Sequence, residues 1–274
     1  MTALREAALA PVDIAGLVAF RVMFGLVLIW EVWRYFSHGW IAAYWIAPAE
    51  HLPYPGFGWL PRLPGAGMYG LWAVMGVLAA LITVGGLYRF AAALFTLAFA
   101  YQFLLEQGRY LNHFYFMLLM AGLLAVVPAH RRWSVDAWLR PRLRGDSAPA
   151  WTLWLLRFQV GVLYVYAGLA KLSADWLAGQ PMRMWLAARA DFPVLGPWLA
   201  DPTAALGAAW LSAALDLLAV PLLLARRTRV AALVVIVAFH ALNARLFTIG
   251  VFPVLAMAGT LLFCEPDWPR RLLR

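Results

Sequence analysis

Long apolar runs, each broken by proline, glycine or arginine, follow one another along the chain. They fall at 12–35, 67–87, 90–106, 110–128, 151–171, 205–225, 229–247 and 249–264. A helix needs about 20 mainly apolar residues to cross the hydrocarbon core of a bilayer. The pattern therefore predicts an all-α, polytopic transmembrane helical bundle of about eight spans. Pro253, inside the last run, predicts a kink or a strong tilt. Two intervening stretches differ in texture. Residues 36–66 combine proline with aromatics, as a rigid outer loop at the membrane interface does. Residues 173–204 alternate charge with Trp, Met and Leu, and 181–190 predicts a short interfacial helix.

Composition removes the soluble alternative. Of 274 residues, 65% are hydrophobic and 13% charged, outside the range of ordinary soluble domains. The expectation is a single transmembrane domain over 1–274 with no extramembrane domain and the lipid bilayer as its surroundings. A net charge of +9 would suit nucleic acid, but the arginines sit in small groups between apolar runs, which argues for membrane orientation and against nucleic acid. Arg5, Arg89, the cluster Arg131, Arg132, Arg140, Arg142 and Arg144, then Arg226, Arg227 and Arg229, and finally Arg270, Arg271 and Arg274 fall on one side. Only Arg62, Arg109, Arg183, Arg189 and Arg245 fall on the other. The positive-inside rule then places both termini in the cytoplasm. Cys264 is the single cysteine, so no internal disulfide forms.

An ionisable side chain at membrane depth is costly and is a site candidate by default. The candidates are Arg21, Glu31, Asn112, His113, Arg157, Gln159, Lys171, Asp216, His240 and Asn243. Counting residues from the span ends at about 1.5 Å each puts Glu31, Asn112, His113, Lys171, His240 and Asn243 at one level in the outer leaflet. Asn243 follows His240 by three residues, so both project from one helical face. Arg21, Arg157 and Asp216 count nearer mid-membrane or the inner half, where pairing among themselves as a structural network is expected. Lys171 stands out chemically. It is the single lysine among 22 basic residues, and an ammonium can give up its proton where a guanidinium cannot. Other readings stay open: a lysine at a helix end also snorkels to the headgroups, and His capped by Asn also serves as a packing hydrogen bond. His113 and His240 also fit a haem or metal pair, although no carboxylate or cysteine completes a metal set.

The strings YLNHFYF at 110–116, RRWSVD at 131–136, YAGLAKLSADWLAGQPM at 166–182 and FHALNARLFTIGVFPVLAMAGTLLFC at 239–264 resemble the membrane domain of vitamin K-dependent gamma-carboxylases. In bacteria the same unit is the horizontally transferred transmembrane (HTTM) domain. PYPGFGWL at 53–60 and GLYR at 86–89 fit the same pattern. The resemblance implies a lyase-type carboxylase that couples epoxidation of a reduced naphthoquinone by O2 to proton abstraction from, and carboxylation of, a glutamyl substrate with CO2. The cofactor implied is reduced vitamin K or a menaquinol-type relative, with no metal. The bacterial inner membrane is the implied location.

By position, the resemblance gives Lys171 the role of the base that deprotonates the quinol, with His113 in the same centre. Asn112, His240, Asn243, Tyr110 and Phe247 are expected at the cofactor, and Asp175, Trp176, Arg245 and Glu31 as supporting residues. Asp175 is expected to pair with Lys171 or to cap the next helix. The family's Lys-Lys pair is Ala170-Lys171 here. A peptide or protein substrate, or a separate substrate-binding subunit, is the expected partner on the outer face. Two rival readings are a non-catalytic quinone-, lipid- or partner-binding module and a transporter with a polar path through the bundle.

Overall fold

The computed structural model describes residues 2–272, so Arg274, counted above among the cytoplasmic arginines, lies outside the described residues. Among the described residues, six helices are long and apolar enough to cross a membrane, and two shorter apolar helices join them. In chain order they are α1 Ala15–Ser37, α2 Gly65–Val84, α3 Tyr88–Leu105, α4 Asn112–Val126, α5 Ala150–Ala170, α6 Pro202–Leu224, α7 Arg229–Leu246 and α8 Phe252–Phe263. The chain is an all-α, multi-pass membrane protein, and the helices begin and end within a few residues of the apolar runs. Pro253 does not kink α8. It sits in the first turn, where its missing N–H has no partner to lose.

The chain divides into two compact units. One comprises the described residues of Met1–Leu156 and Cys264–Arg274; the other is Arg157–Phe263. In the first unit α1 packs on α2, α2 on α3 and α3 on α4. Tyr35 stacks on Trp72 at 4.0 Å between ring centroids, with Trp45 and Phe114 against the same tyrosine ring. Two three-residue strands, β1 Pro11–Asp13 and β2 Ser147–Pro149, pair antiparallel. Arg270 reaches Asp13 at 2.9 Å and Asp146 at 2.8 Å, which fastens the helix Trp268–Leu272 to that ribbon.

Arg21 is 1% exposed and lies only two turns into α1. Its guanidinium donates to the carbonyls of Ala129 at 2.8 Å and Trp133 at 2.6 Å. These carbonyls follow the break that Pro128 makes after α4 and have no helical N–H to accept from. The expected network of Arg21, Arg157 and Asp216 therefore does not form. The two arginines answer main-chain carbonyls, Arg157 donating to Leu262 O at 2.8 Å, and Asp216 has a different partner.

In the second unit α6 packs on α7 and α7 on α8. At Gly168, α5 approaches α6 so closely that a Cβ would lie 2.7 Å from the Leu217 side chain and 3.0 Å from its backbone nitrogen. Small residues allow such backbone contact between membrane helices. Gly168→Val is expected to push α5 and α6 apart and to lower stability by about 1–3 kcal/mol, read as a lower unfolding midpoint in detergent.

The segment after α5 forms short helices at Ala174–Leu177, Met182–Ala187 and Gly196–Leu199. The middle one lies within 181–190, where a short helix is expected. The segment packs alongside the first turns of α6: Trp176 Nε1 donates to Ala209 O at 3.0 Å, and Trp210 Nε1 donates to Leu177 O at 3.1 Å. Asp216 therefore lies level with the end of α5, although a count along its own span puts it deeper.

Candidate functional site

Lys171 follows the last residue of α5, where the helix gives way to a turn. Its Nζ donates to Asp216 Oδ2. Side-chain exposure is 19% for the lysine and 5% for the aspartate, so the pair is held largely away from solvent. The Lys171 side chain turns to this carboxylate, because an apolar surround favours the ion partner over a lone ammonium. Trp176 flanks the pair, its ring centroid 5.5 Å from the ammonium nitrogen. Asp175 is neither the lysine's partner nor the helix cap. It is exposed, and Ser173 Oγ accepts from Trp176 N as the cap instead.

The lysine lines a cavity of about 640 Å³, within the usual range for small-molecule and cofactor sites. Its wall is mostly apolar: Trp176, Trp185, Leu211, Phe239, Leu246 and Phe247 contribute, and polar contacts come from Lys171, Arg189, Ser212, Asn243 and Thr248. Trp185 meets both Trp176 and Phe247 edge to face at 6.1 Å. Lys171, Trp176, Asn243 and Phe247, each expected from the sequence, thus come together here. Arg245 does not join them; it is exposed, and Arg189 is the arginine in the wall.

His240 is 2% exposed and turns away from the cavity wall toward Tyr164. Its Nε2 lies 3.0 Å from Tyr164 Oη, which lies 2.8 Å from Thr260 Oγ1, which donates to Ala256 O at 2.8 Å. The last bond fixes the direction of the others: Tyr164 donates to Thr260, and His240 Nε2–H donates to Tyr164. Nδ1 then carries the lone pair, and it is buried with no partner among the described residues. Tyr164 and Thr260 went unread in the sequence. One signal was there for Tyr164: it precedes Lys171 by seven residues and shares its helical stripe.

The remaining expected residues lie in the first unit. Glu31 pairs with Arg34 at 2.6 Å. His113 meets Phe114 edge to face at 5.0 Å, Asn112 opens α4 and is exposed, and Tyr110 meets Phe103 at 5.9 Å.

A family model of the HTTM domain matches residues 9–268. The chain belongs to the HTTM domain family. The match spans both units of this HTTM chain, so the resemblance carried by the 110–116, 131–136, 166–182 and 239–264 strings holds over nearly its whole length. No solved structure matches the HTTM chain.

Proposed function

We propose that this chain is a quinol-dependent membrane enzyme of the carboxylase type, and that the cavity beside Lys171 holds a reduced naphthoquinone. The observation that carries this reading is a lysine in the wall of an apolar, aromatic-lined cavity, with its ammonium paired to the buried Asp216 behind it. The residues suit such a ligand. Trp176, Trp185 and Phe247 offer ring faces to a bicyclic aromatic, Leu211 and Leu246 suit an isoprenoid tail, and Asn243 and Lys171 offer hydrogen bonds to ring oxygens.

When bound, a reduced naphthoquinone would supply the four electrons that O2 takes up, two in going from quinol to quinone and two from the ring double bond that is epoxidised, so that quinol and O2 would become epoxide and water. Lys171 and Asp216 move the proton that starts this. Lys171 Nζ would take the proton of a ligand hydroxyl as it passes one to Asp216, which would leave the ammonium charge facing the ligand oxygen. An apolar surround assists, because it raises the cost of the charged pair relative to the neutral amine and acid. Asn243 holds the ligand oxygen, and the wall excludes water. The carbon acid is a glutamyl γ-carbon on a peptide or protein, whose proton ends in the water formed and whose carbon then bonds to CO2 as a second carboxylate. The arginine-rich loops favour an outer-leaflet site with both termini inside, and the resemblance implies the inner membrane of a bacterium.

The test is oxygen uptake by the purified chain with reduced menadione. Uptake is expected to require the chain and to fall about 100-fold or more in Lys171→Met. In Phe247→Ala the chief expected change is a higher KM. Uptake equal in the wild type and Lys171→Met would refute the reading.

A further inference from the structure

A second cavity, of about 700 Å³, lies in the first unit. The backbone that shapes it is unusual: α2 ends on Gly85 at φ 67°, and Leu87 precedes α3 at φ 45°. Asp136 bridges to this turn, its two carboxylate oxygens accepting from Leu87 N and Tyr88 N at 2.9 Å each. The turn and residues of the segment 128–143 line the cavity together, and it is open on one side.

Its charge is one-sided. Arg89, Arg131, Arg140 and Arg142 line it, and Asp136 is the one acid in its wall. That acid's oxygens are already taken by the two backbone amides. No ion pair joins any of the four arginines to a carboxylate among the described residues. Two further polar groups in the wall are unanswered. Tyr88 and His130 stack at 5.2 Å. The Tyr88 hydroxyl and His130 Nδ1 are both buried with no partner among the described residues. Burial first, and then the charge of Arg89, lowers the basicity of His130. Beside this polar wall stand Leu87 and Phe90, which are 56% and 61% exposed.

Four arginines line one cavity, of which Arg131 also donates to Ser147 O at 3.3 Å, and the one acid in the wall is already bonded; such a wall calls for an anion that accepts several charge-assisted hydrogen bonds at once. A phosphate does so, because its oxygens match the guanidinium fork. We propose that this cavity is a phosphate-binding site, separate from the cavity beside Lys171. The exposed Leu87 and Phe90 at its edge suit the first carbons of an acyl chain, so an anionic phospholipid and a soluble phosphate are the two sources of the group.

The two sources separate by titration of the purified full-length chain with three probes, read by native mass spectrometry. The probes are phosphatidylglycerol, diacylglycerol, which has the tails without the phosphate, and inorganic phosphate. The combined variant Arg89→Gln, Arg140→Gln, Arg142→Gln is compared with Arg226→Gln, Arg227→Gln, which removes two basic residues outside this cavity. Phosphatidylglycerol is expected to bind more tightly than diacylglycerol, by about tenfold, and to lose that advantage only in the cavity variant. Inorganic phosphate that binds as tightly as the lipid, with the same dependence on the cavity arginines, assigns the soluble source. Weak phosphate binding beside tight lipid binding assigns the lipid. The proposal is overturned if diacylglycerol matches phosphatidylglycerol and phosphate does not bind. It is also overturned if both phosphate-bearing probes ignore the cavity variant, or if the two variants weaken binding equally. Should the combined variant not fold, Arg142→Gln alone, at an exposed position, is read in the same way.

Discussion

Asp216→Leu is expected to destabilise the purified chain by about 3–5 kcal/mol, because it leaves the Lys171 ammonium without its partner in an apolar surround. The residual 19% exposure of the lysine should hold the loss near the lower figure. Lys171→Met, which leaves the Asp216 carboxylate unpaired in the same surround, is expected to cost a similar amount. The double variant Lys171→Met, Asp216→Leu is expected to regain most of the stability, as replacements of buried ion pairs by apolar residues often do. Unfolding midpoints of the four proteins in one detergent complete the cycle. Oxygen uptake separates structure from chemistry: the double variant should be folded and inactive. A double variant as unstable as Asp216→Leu would show that the pair does not act as a unit.

Arg21→Met is the second large effect. The side chain is almost fully buried and answers the carbonyls of Ala129 and Trp133. Removing it leaves buried acceptors unsatisfied at about 1–3 kcal/mol each. Arg21→Lys should rescue only part of the loss, since one ammonium cannot span carbonyls that the planar fork reaches with separate nitrogens. The expected readout is faster proteolysis within 128–150 at a temperature where the wild type resists. Unchanged proteolysis in Arg21→Met would show that the loop is held by other contacts.

The spans were legible because lipid imposes a simple demand: every backbone polar group must be satisfied inside its own helix, so apolar length reports a helix directly. Lys171 was legible by identity, as a lone lysine in an arginine-rich chain. Its partner was not, because the count of depth assumed that all spans end in one plane. The segment that begins at residue 173 runs beside α6 rather than capping it, as the Trp176–Ala209 and Trp210–Leu177 bonds show, and so brings Asp216 level with Lys171. Tyr164 and Thr260 escaped notice for another reason. Neutral hydroxyls that find partners carry little penalty when buried, so their presence in a span is no signal. The β1–β2 ribbon has three residues per strand and a proline in each, too little for alternation to be read.

The central claim is that the cavity beside Lys171 holds a reduced naphthoquinone, and photolabelling tests it most directly. An azido-naphthoquinone is reduced, irradiated with the purified chain, and the labelled residues are mapped by peptide mass spectrometry. Label is expected on Trp176, Met184, Trp185 or Phe247, all in the cavity wall, and is expected to be lost when excess unlabelled reduced menadione competes. Label spread over the lipid-facing helices and indifferent to that competitor would contradict it.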